Sequence, residues 1–348
     1  METTTKKRIG YLDAIRGFTM ILVVLNHVSG FCLDINSEIQ SVNHIIKEFR
    51  MPLFFFICGF VLQKNHITWT YNTIGSFLKK KFPIQIISTL LFLFIYTYLN
   101  NLSFVDGLFS DSKMGFWFTY VLFIFYIFYS IIMGINHYLN IQSKHADLII
   151  FCIGILFYLF LIPNIYNEIP LDNNIKNLLS LKHWGYFTFF VGGTLVKKHF
   201  DIFTKYLDQK TLVTLCLLLF LTFNIFKNDV LIIGWTLFCF ITAITGIITF
   251  FSFFRYNSNI IDNSRLGLFL QYIGRNTLSI YFLHYFFLPI HLKDVFPVFS
   301  QHPMPIIEFS FSLFISMIII IFCLLVNNII CISPTISYLL GKKTIHKS

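Results

Sequence analysis

The feature that most constrains this fold is a series of apolar stretches, each about as long as a helix that crosses a bilayer. These stretches are apolar over helical lengths and lack the alternation typical of membrane β-barrel strands. Because backbone groups in hydrocarbon must be satisfied internally, such stretches fold as helices. The sequence predicts an all-α bundle of about ten membrane spans, at 14–32, 48–63, 82–100, 116–135, 148–163, 184–196, 211–226, 230–254, 272–290 and 306–330.

Composition places the chain among integral membrane proteins. Of its 348 residues, 56% are hydrophobic and 12% are charged, and the mean hydropathy is +0.72. Soluble globular domains carry about twice that charged fraction. The formal net charge of +10 comes from Lys and Arg in short loops beside apolar runs, which is typical of membrane topology. We therefore expect no nucleic-acid partner. We also expect one domain over 1–348 with no fused soluble domain.

Loop charge predicts the orientation of the bundle. With ten spans, most loop Lys and Arg residues lie on the side that holds both termini, so both termini are predicted to be cytoplasmic. Spans 48–63 and 184–196 are short for a hydrocarbon core of about 30 Å. Removing either one alone would invert every later loop and scramble the charge bias, so the bias supports both. The basic Lys6, Lys7 and Arg8 precede the first span without a clear cleavage signal, so we expect that span to be retained.

Cysteine and histidine spacing gives no metal or disulfide signal. All seven cysteines lie in or next to apolar segments, and none has CxxC spacing. They are predicted to be buried thiols. Most of the remaining histidines lie in loops without the spacing of metal ligands, so no metal site is expected.

Arg16 and His27 are the most informative polar residues, because they lie eleven positions apart in one apolar run. On an α-helix this spacing is three turns plus about 20°, so both side chains share a face, about 16 Å apart along the axis. Ionisable groups within a membrane usually pair, line a wet cavity or take part in chemistry. On position alone, His27 either takes such a role or hydrogen-bonds a neighbouring helix. Arg16 either anchors at the headgroups or binds a ligand, and Asp13 can pair with it at i,i+3.

Other polar and aromatic residues are candidates on position. His284 follows Arg275 by nine residues, which predicts a depth similar to that of His27 and so a shared site. The alternative for His284 is packing beside Tyr281. Arg50 and Glu48 open the second span on the outer side, where they either bind a polar acceptor or pair with each other.

Several motifs, in order along the chain, resemble those of one known family of membrane proteins. YLDAIRGFTMILVVLNHV at 11–28 is similar to its first helix, where ten residues separate a basic residue from a histidine. FRMPLFFFICGFVL at 49–62 and the Trp117-Phe118 pair resemble its second and fourth helices. YFTFFVGGTLVKK at 186–198 and NTLSIYFLHYFF at 276–287 resemble two later motifs. In this order, and over nearly the whole chain, the motifs resemble the acyltransferase-3 family of membrane acyltransferases.

The resemblance implies an O-acyltransferase of the bacterial inner membrane. It would transfer a short acyl group, with acetyl as the first candidate, from cytosolic acyl-CoA to a hydroxyl of a cell-surface glycan or its lipid-linked precursor. Acyl-CoA is then a co-substrate, no cofactor is permanently bound, and the partners are the donor, a carbohydrate acceptor and membrane lipids. The resemblance leaves open whether the protein forms a homodimer. The rival interpretations are a polytopic transporter and a non-catalytic subunit of a polysaccharide synthesis or export complex.

The resemblance also assigns roles to the candidate residues. His27 is expected to be the general base, and His284 to assist it at the acceptor or at the developing oxyanion. Donor binding is assigned to Arg16, Asp13, Lys79, Lys80 and Lys81. From their positions, and not from the resemblance, Arg50, Glu48, Trp117 and Tyr281 are the candidates for acceptor binding, although Trp117 and Tyr281 also suit the membrane interface or helix packing.

Two features depart from the family pattern. Cys58 replaces the usual Ser, and Lys79, Lys80 and Lys81 replace an Arg-x-x-Arg cluster. Lysine binds phosphate as a point charge and lacks the planar fork of arginine.

Overall fold

The structure is a computed structural model that describes residues 8–35, 42–64, 67–159, 168–225, 232–295 and 305–342. Within these ranges the chain is all-helical and contains no strand. The α-helices are α1 Gly10–His27, α2 Val42–Leu62, α3 Tyr71–Phe82, α4 Ser88–Leu99, α5 Phe104–Phe109, α6 Trp117–Tyr138, α7 Ser143–Leu156, α8 Asn173–Leu178, α9 Phe187–Lys198, α10 Phe200–Leu207, α11 Lys210–Ile225, α12 Ile232–Tyr256, α13 Ser258–Asn263, α14 Arg265–Arg275, α15 Thr277–Leu283, α16 Leu292–Val295, α17 Pro305–Ile330 and α18 Pro334–Leu339. The all-α prediction is therefore confirmed for the described residues.

Several helices are suited to cross a membrane. Among the described residues, five are long and apolar enough: Gly10–Cys32, Tyr71–Leu99, Trp117–Tyr138, Thr236–Tyr256 and Pro305–Ile330. A sixth candidate is the pair Phe200–Leu207 and Lys210–Asn224, which is bent by 74°. Every predicted span overlaps a described helix. These findings indicate a multi-pass membrane protein, while the total of ten spans and the side of each terminus stay predictions.

The first helix lies at the centre of the bundle. Helix α1 packs against α14, α2, α12 and α17, and most of its residues between Leu12 and Leu25 are buried. A π-helical turn, Val28–Cys32, continues it beyond His27.

Two helix pairs cross at glycines. Gly17 of α1 meets the backbone of α14 at Leu270, and Gly274 of α14 meets the backbone of α1 at Asp13. Helices α2 and α9 approach each other in the same way through Gly59 and Gly193. Small residues allow membrane helices to approach at backbone distance, and these crossings fix α1 against α14 and α2 against α9.

The ninth predicted span is broken, where the sequence pattern suggested one helix over 272–290. Helix α14 ends at Arg275 and α15 begins at Thr277, with Asn276 between them at φ −107° and ψ 13°. The side-chain amide of Asn276 donates to the carbonyl of Tyr272 at 2.9 Å. Short polar side chains that bond local backbone compete with helix continuation. After seven residues α15 passes into a 3₁₀ turn, His284–Phe287.

Candidate functional site

His27 ends α1, and its imidazole is held between groups from two parts of the chain. Its Nε2 lies 3.1 Å from the hydroxyl oxygen of Tyr285. The His27 ring stacks on Phe31, with centroids 5.5 Å apart, and on His284, with centroids 5.3 Å apart. Helix α1 thus supplies the imidazole, and the 3₁₀ turn after α15 supplies its hydrogen-bond partner.

His284 is completely buried beside His27. Its Nδ1 lies 3.0 Å from the carbonyl oxygen of Ile280. A carbonyl only accepts, so Nδ1 carries the proton and Nε2 carries the lone pair. Nε2 is buried with no hydrogen-bond partner among the described residues. The predicted proximity of the two histidines is confirmed, while any chemical role of His284 stays a prediction.

A small cavity opens directly beside His27. It measures about 50 Å³, which is room for a few water molecules. Its walls come from α1, α2, the start of α6 and α15, and its lining residues are Met20, Val23, His27, Arg50, Met51, Phe54, Gly115, Trp117, Phe118 and Tyr281. Four residues assigned from the sequence, His27, Arg50, Trp117 and Tyr281, therefore share this cavity. His284 and Glu48 do not line it.

Arg50 brings a cationic group into the cavity. Its Nε and Nη1 atoms are buried with no hydrogen-bond partner among the described residues. The guanidinium lies close enough to His27, Tyr186 and Tyr285 to interact with them electrostatically. Glu48 also contributes to the electrostatic environment of this guanidinium, while the alternative in which these two residues pair stays a prediction.

The segment before α6 forms one wall of the cavity in an unusual backbone conformation. Lys113 and Met114 have φ of 49° and 52°, and Gly115 has φ of 100°. Only glycine adopts this last conformation readily, and a Cβ on Gly115 would overlap the ring of Tyr285. Tyr281 donates its hydroxyl to the Gly115 carbonyl at 3.2 Å and accepts from the backbone amide of Phe118 at 3.0 Å. These contacts hold the wall against α15.

Trp117 is supported by two neighbouring rings. Its indole stacks on His183, with centroids 4.1 Å apart, and lies 5.8 Å from the ring of Tyr186. His183 lies just outside the predicted spans. Burial lowers the pKa of His183 well below its usual range, so the ring under the indole is neutral at pH 7.

A separate polar cluster lies near the N-terminal end of α1. Arg16 pairs with Asp13 at 3.8 Å, as predicted, and Arg275 of α14 lies 3.5 Å from the same carboxylate. Arg16 also interacts electrostatically with Lys81 and Cys58. Arg16 and His27 are about 16 Å apart along the axis, so these residues form a second site that is distinct from the cavity.

The three predicted donor lysines do not share one environment. Lys81 is partly buried, and its ammonium lies 5.2 Å from the ring centre of Tyr126. Lys79 and Lys80 are exposed on the same helix. The structure thus brings Lys81 to Arg16 and leaves the other two at the surface.

Sequence reasoning missed Tyr285 and Gly115. Tyr285 directly follows the assigned His284, and Gly115 lies two residues before the assigned Trp117. Their roles depend on contacts between distant segments, and nothing in the local sequence marks them.

Comparison with known proteins gives one match. A family model described as an acyltransferase domain, Acyl_transf_3, matches residues 9–326. That range includes both polar sites and every motif quoted above. No curated protein and no solved structure matches the chain.

Proposed function

The chain belongs to the acyltransferase-3 family of membrane acyltransferases, and from this premise we propose that it is an O-acyltransferase that uses acyl-CoA. The proposed reaction moves a short acyl group, with acetyl as the first candidate, from cytosolic acyl-CoA to a hydroxyl of a cell-surface glycan or its lipid-linked precursor. The proposed location is the bacterial inner membrane. The observation that carries the proposal is the imidazole of His27, which lines a cavity beside a buried guanidinium.

The chemistry follows from the groups in this cavity. Acyl transfer needs a base to take the hydroxyl proton as the oxygen attacks the thioester carbonyl, and a neutral imidazole is suited to this near pH 7. His27 takes that proton and then gives it to the departing CoA thiolate. The cavity is small, so both substrates must enter by displacing water or by local opening.

The cluster around Arg16 suits the donor end of this path. Arg16, Arg275 and Lys81 lie near one end of α1, and Lys79 and Lys80 extend the positive charge onto the surface. Such a field attracts polyanionic CoA. Met20 and Val23 line the cavity on the same face of α1, between Arg16 and His27. The thioester arm would follow this apolar stripe towards His27.

The acceptor end is proposed to lie at the opposite ends of the helices. His27 ends α1 and Trp117 begins α6, so the cavity lies away from the cluster around Arg16. With the N-terminus in the cytoplasm, the acceptor hydroxyl would enter from the outer half of the membrane. Trp117 and Tyr281 offer it an aromatic wall with a polar edge.

An assay with purified protein in lipid nanodiscs tests the proposal. Radiolabelled acetyl-CoA and lipid-linked oligosaccharides from the source cell should yield labelled, base-labile O-acetyl esters. Deletion of the gene should remove O-acetyl groups from surface glycans, as measured by NMR spectroscopy. A transporter or a non-catalytic subunit predicts no ester formation by the purified protein, and that result would overturn the proposal.

Tyr285→Phe should slow the transfer while leaving the fold intact. The variant removes the hydroxyl that lies 3.1 Å from His27 Nε2, and a hydrogen bond contributes about 0.5 to 1.5 kcal/mol net. We therefore expect a decrease in kcat of about 2- to 10-fold. Tyr272→Phe, on the exposed side of α14, is the matched control and should keep the wild-type rate. Equal rates in both variants would show that the Tyr285 hydroxyl does not orient His27.

A further inference from the structure

Arg50 has hydrogen-bonding capacity that the described protein does not use. Its Nε and Nη1 are buried and have no partner among the described residues. Leaving a buried donor unsatisfied costs about 1 to 3 kcal/mol, and more for a charged group. Such a group in a cavity wall is suited to bind an acceptor atom that enters the cavity.

The size of the cavity restricts what that acceptor atom belongs to. Its volume of about 50 Å³ is far smaller than the pockets of about 300 Å³ or more that enclose whole ligands. A carbonyl oxygen on a slender chain fits a space of this size. The walls beside Arg50 include Met51 and Phe54, and these apolar side chains suit a short acyl chain.

Arg50 is also close to the proposed base. His27 and Arg50 line the same cavity and interact electrostatically. A thioester carbonyl oxygen held at Arg50 therefore lies beside the base that removes the acceptor proton, so the cation meets the negative charge that develops on that oxygen. Preorganised donors in a water-poor site act strongly on such charge.

We infer that Arg50 binds the carbonyl oxygen of the donor thioester and stabilises the oxyanion of the tetrahedral intermediate, an inference that rests on the acyl-transfer function proposed above. This makes Arg50 a catalytic residue of the donor side, whereas its position in the sequence suggested the acceptor.

The step balances with the groups already present. The acceptor oxygen forms a bond to the carbonyl carbon, its proton passes to His27, and the carbonyl π electrons move onto the oxygen held by Arg50. When the intermediate collapses, the carbon–oxygen double bond re-forms and the carbon–sulfur bond breaks. The thiolate leaves with the electron pair and takes the proton from His27.

Kinetics of Arg50→Gln test the inference. Removing one oxyanion donor from an enzyme lowers kcat by about 100- to 1,000-fold, and we expect a decrease of this size, with KM for the acceptor changed less than about threefold and KM for the donor raised. Arg265→Gln, at an exposed position of α14, is the matched control and should keep wild-type kinetics. An unchanged kcat with a tenfold higher KM for the acceptor would place Arg50 at the acceptor and overturn the inference.

A binding measurement separates the carbonyl contact from turnover. The probes are a ketone analogue of acetyl-CoA, in which a methylene replaces the thioester sulfur, and S-ethyl-CoA, which lacks the carbonyl. Wild-type protein should bind the ketone at least about tenfold more tightly, and Arg50→Gln should bind both probes equally. Arg50→Met, which has an unbranched side chain without an N–H donor, carries the same comparison if the Gln variant does not fold. Equal affinity of the two probes for the wild type would overturn the inference.

The two experiments distinguish this inference from the function on which it rests. If wild-type protein forms no ester from acyl-CoA, the proposed function fails. If the wild type transfers acyl groups and Arg50→Gln keeps a wild-type kcat, the function stands and the inference about Arg50 fails.

Discussion

His27→Gln is expected to lower kcat for acyl transfer by about 100- to 10,000-fold, the range for loss of a general base. Glutamine keeps a polar group that can hydrogen-bond the Tyr285 hydroxyl, but its amide does not take up a proton near pH 7. The local contacts of the helix end are thereby largely preserved while the chemistry is removed. The measurement is the rate of labelled ester formation in nanodiscs at saturating acyl-CoA.

The matched control for His27 is His145→Gln, an exposed position near the start of α7. This variant should keep the wild-type rate, and both variants should show wild-type melting temperatures by intrinsic fluorescence. If the His27 variant folds and turns over as fast as wild type, His27 is not the base. The buried lone pair of His284 then becomes the group to test, because its Nε2 is an unprotonated nitrogen close to the cavity.

Gly193→Ala is expected to destabilise the bundle strongly, whereas Gly192→Ala, one residue away on α9, is not. A Cβ on Gly193 would overlap the backbone carbonyl of Phe56 on α2, whereas a Cβ on Gly192 meets nothing within 4 Å. Both substitutions raise the helix propensity by about the same amount, 0.8 to 1.0 kcal/mol. The difference in stability between the two variants therefore reports the close contact where α2 and α9 cross.

We expect the free energy of unfolding of Gly193→Ala to fall by about 1 to 3 kcal/mol or more relative to Gly192→Ala, as in other overpacked interiors. The clash involves backbone, so no side-chain rotation relieves it. Thermal melts of both variants in the same detergent measure the effect. Since Arg50 lies on α2, the crossing also positions the cavity, and residual Gly193→Ala protein should transfer acyl groups more slowly. Matching melts for the two variants would contradict the close crossing of α2 and α9.

Local features of the site were predictable because they depend on helical periodicity alone. The pairing of Asp13 with Arg16 follows from a spacing of three residues, and the structure has it at 3.8 Å. The face shared by Arg16 and His27 follows from a spacing of three turns. The sequence motifs indicated the family, and the family model covers the same residues.

Contacts between helices were predictable only in part. Comparable depth along two spans suggested that His27 and His284 share a site, and their rings do stack. Depth does not specify rotation, however, and His284 packs behind His27 instead of lining the cavity. The same limit applies to Lys81, which turns inward while Lys79 and Lys80 stay exposed.

The sequence by itself determined the helical class, the apolar segments and the residues that share a face within one helix, because these properties depend on neighbours a few positions away. Only the tertiary structure decided that Arg50, Tyr285 and Gly115 surround His27. The physical reason is that helices in a membrane are apolar on nearly every side, so hydrophobicity does not choose which faces meet. Close glycine crossings and a few buried polar contacts make that choice, and both require the partner helix to be in place.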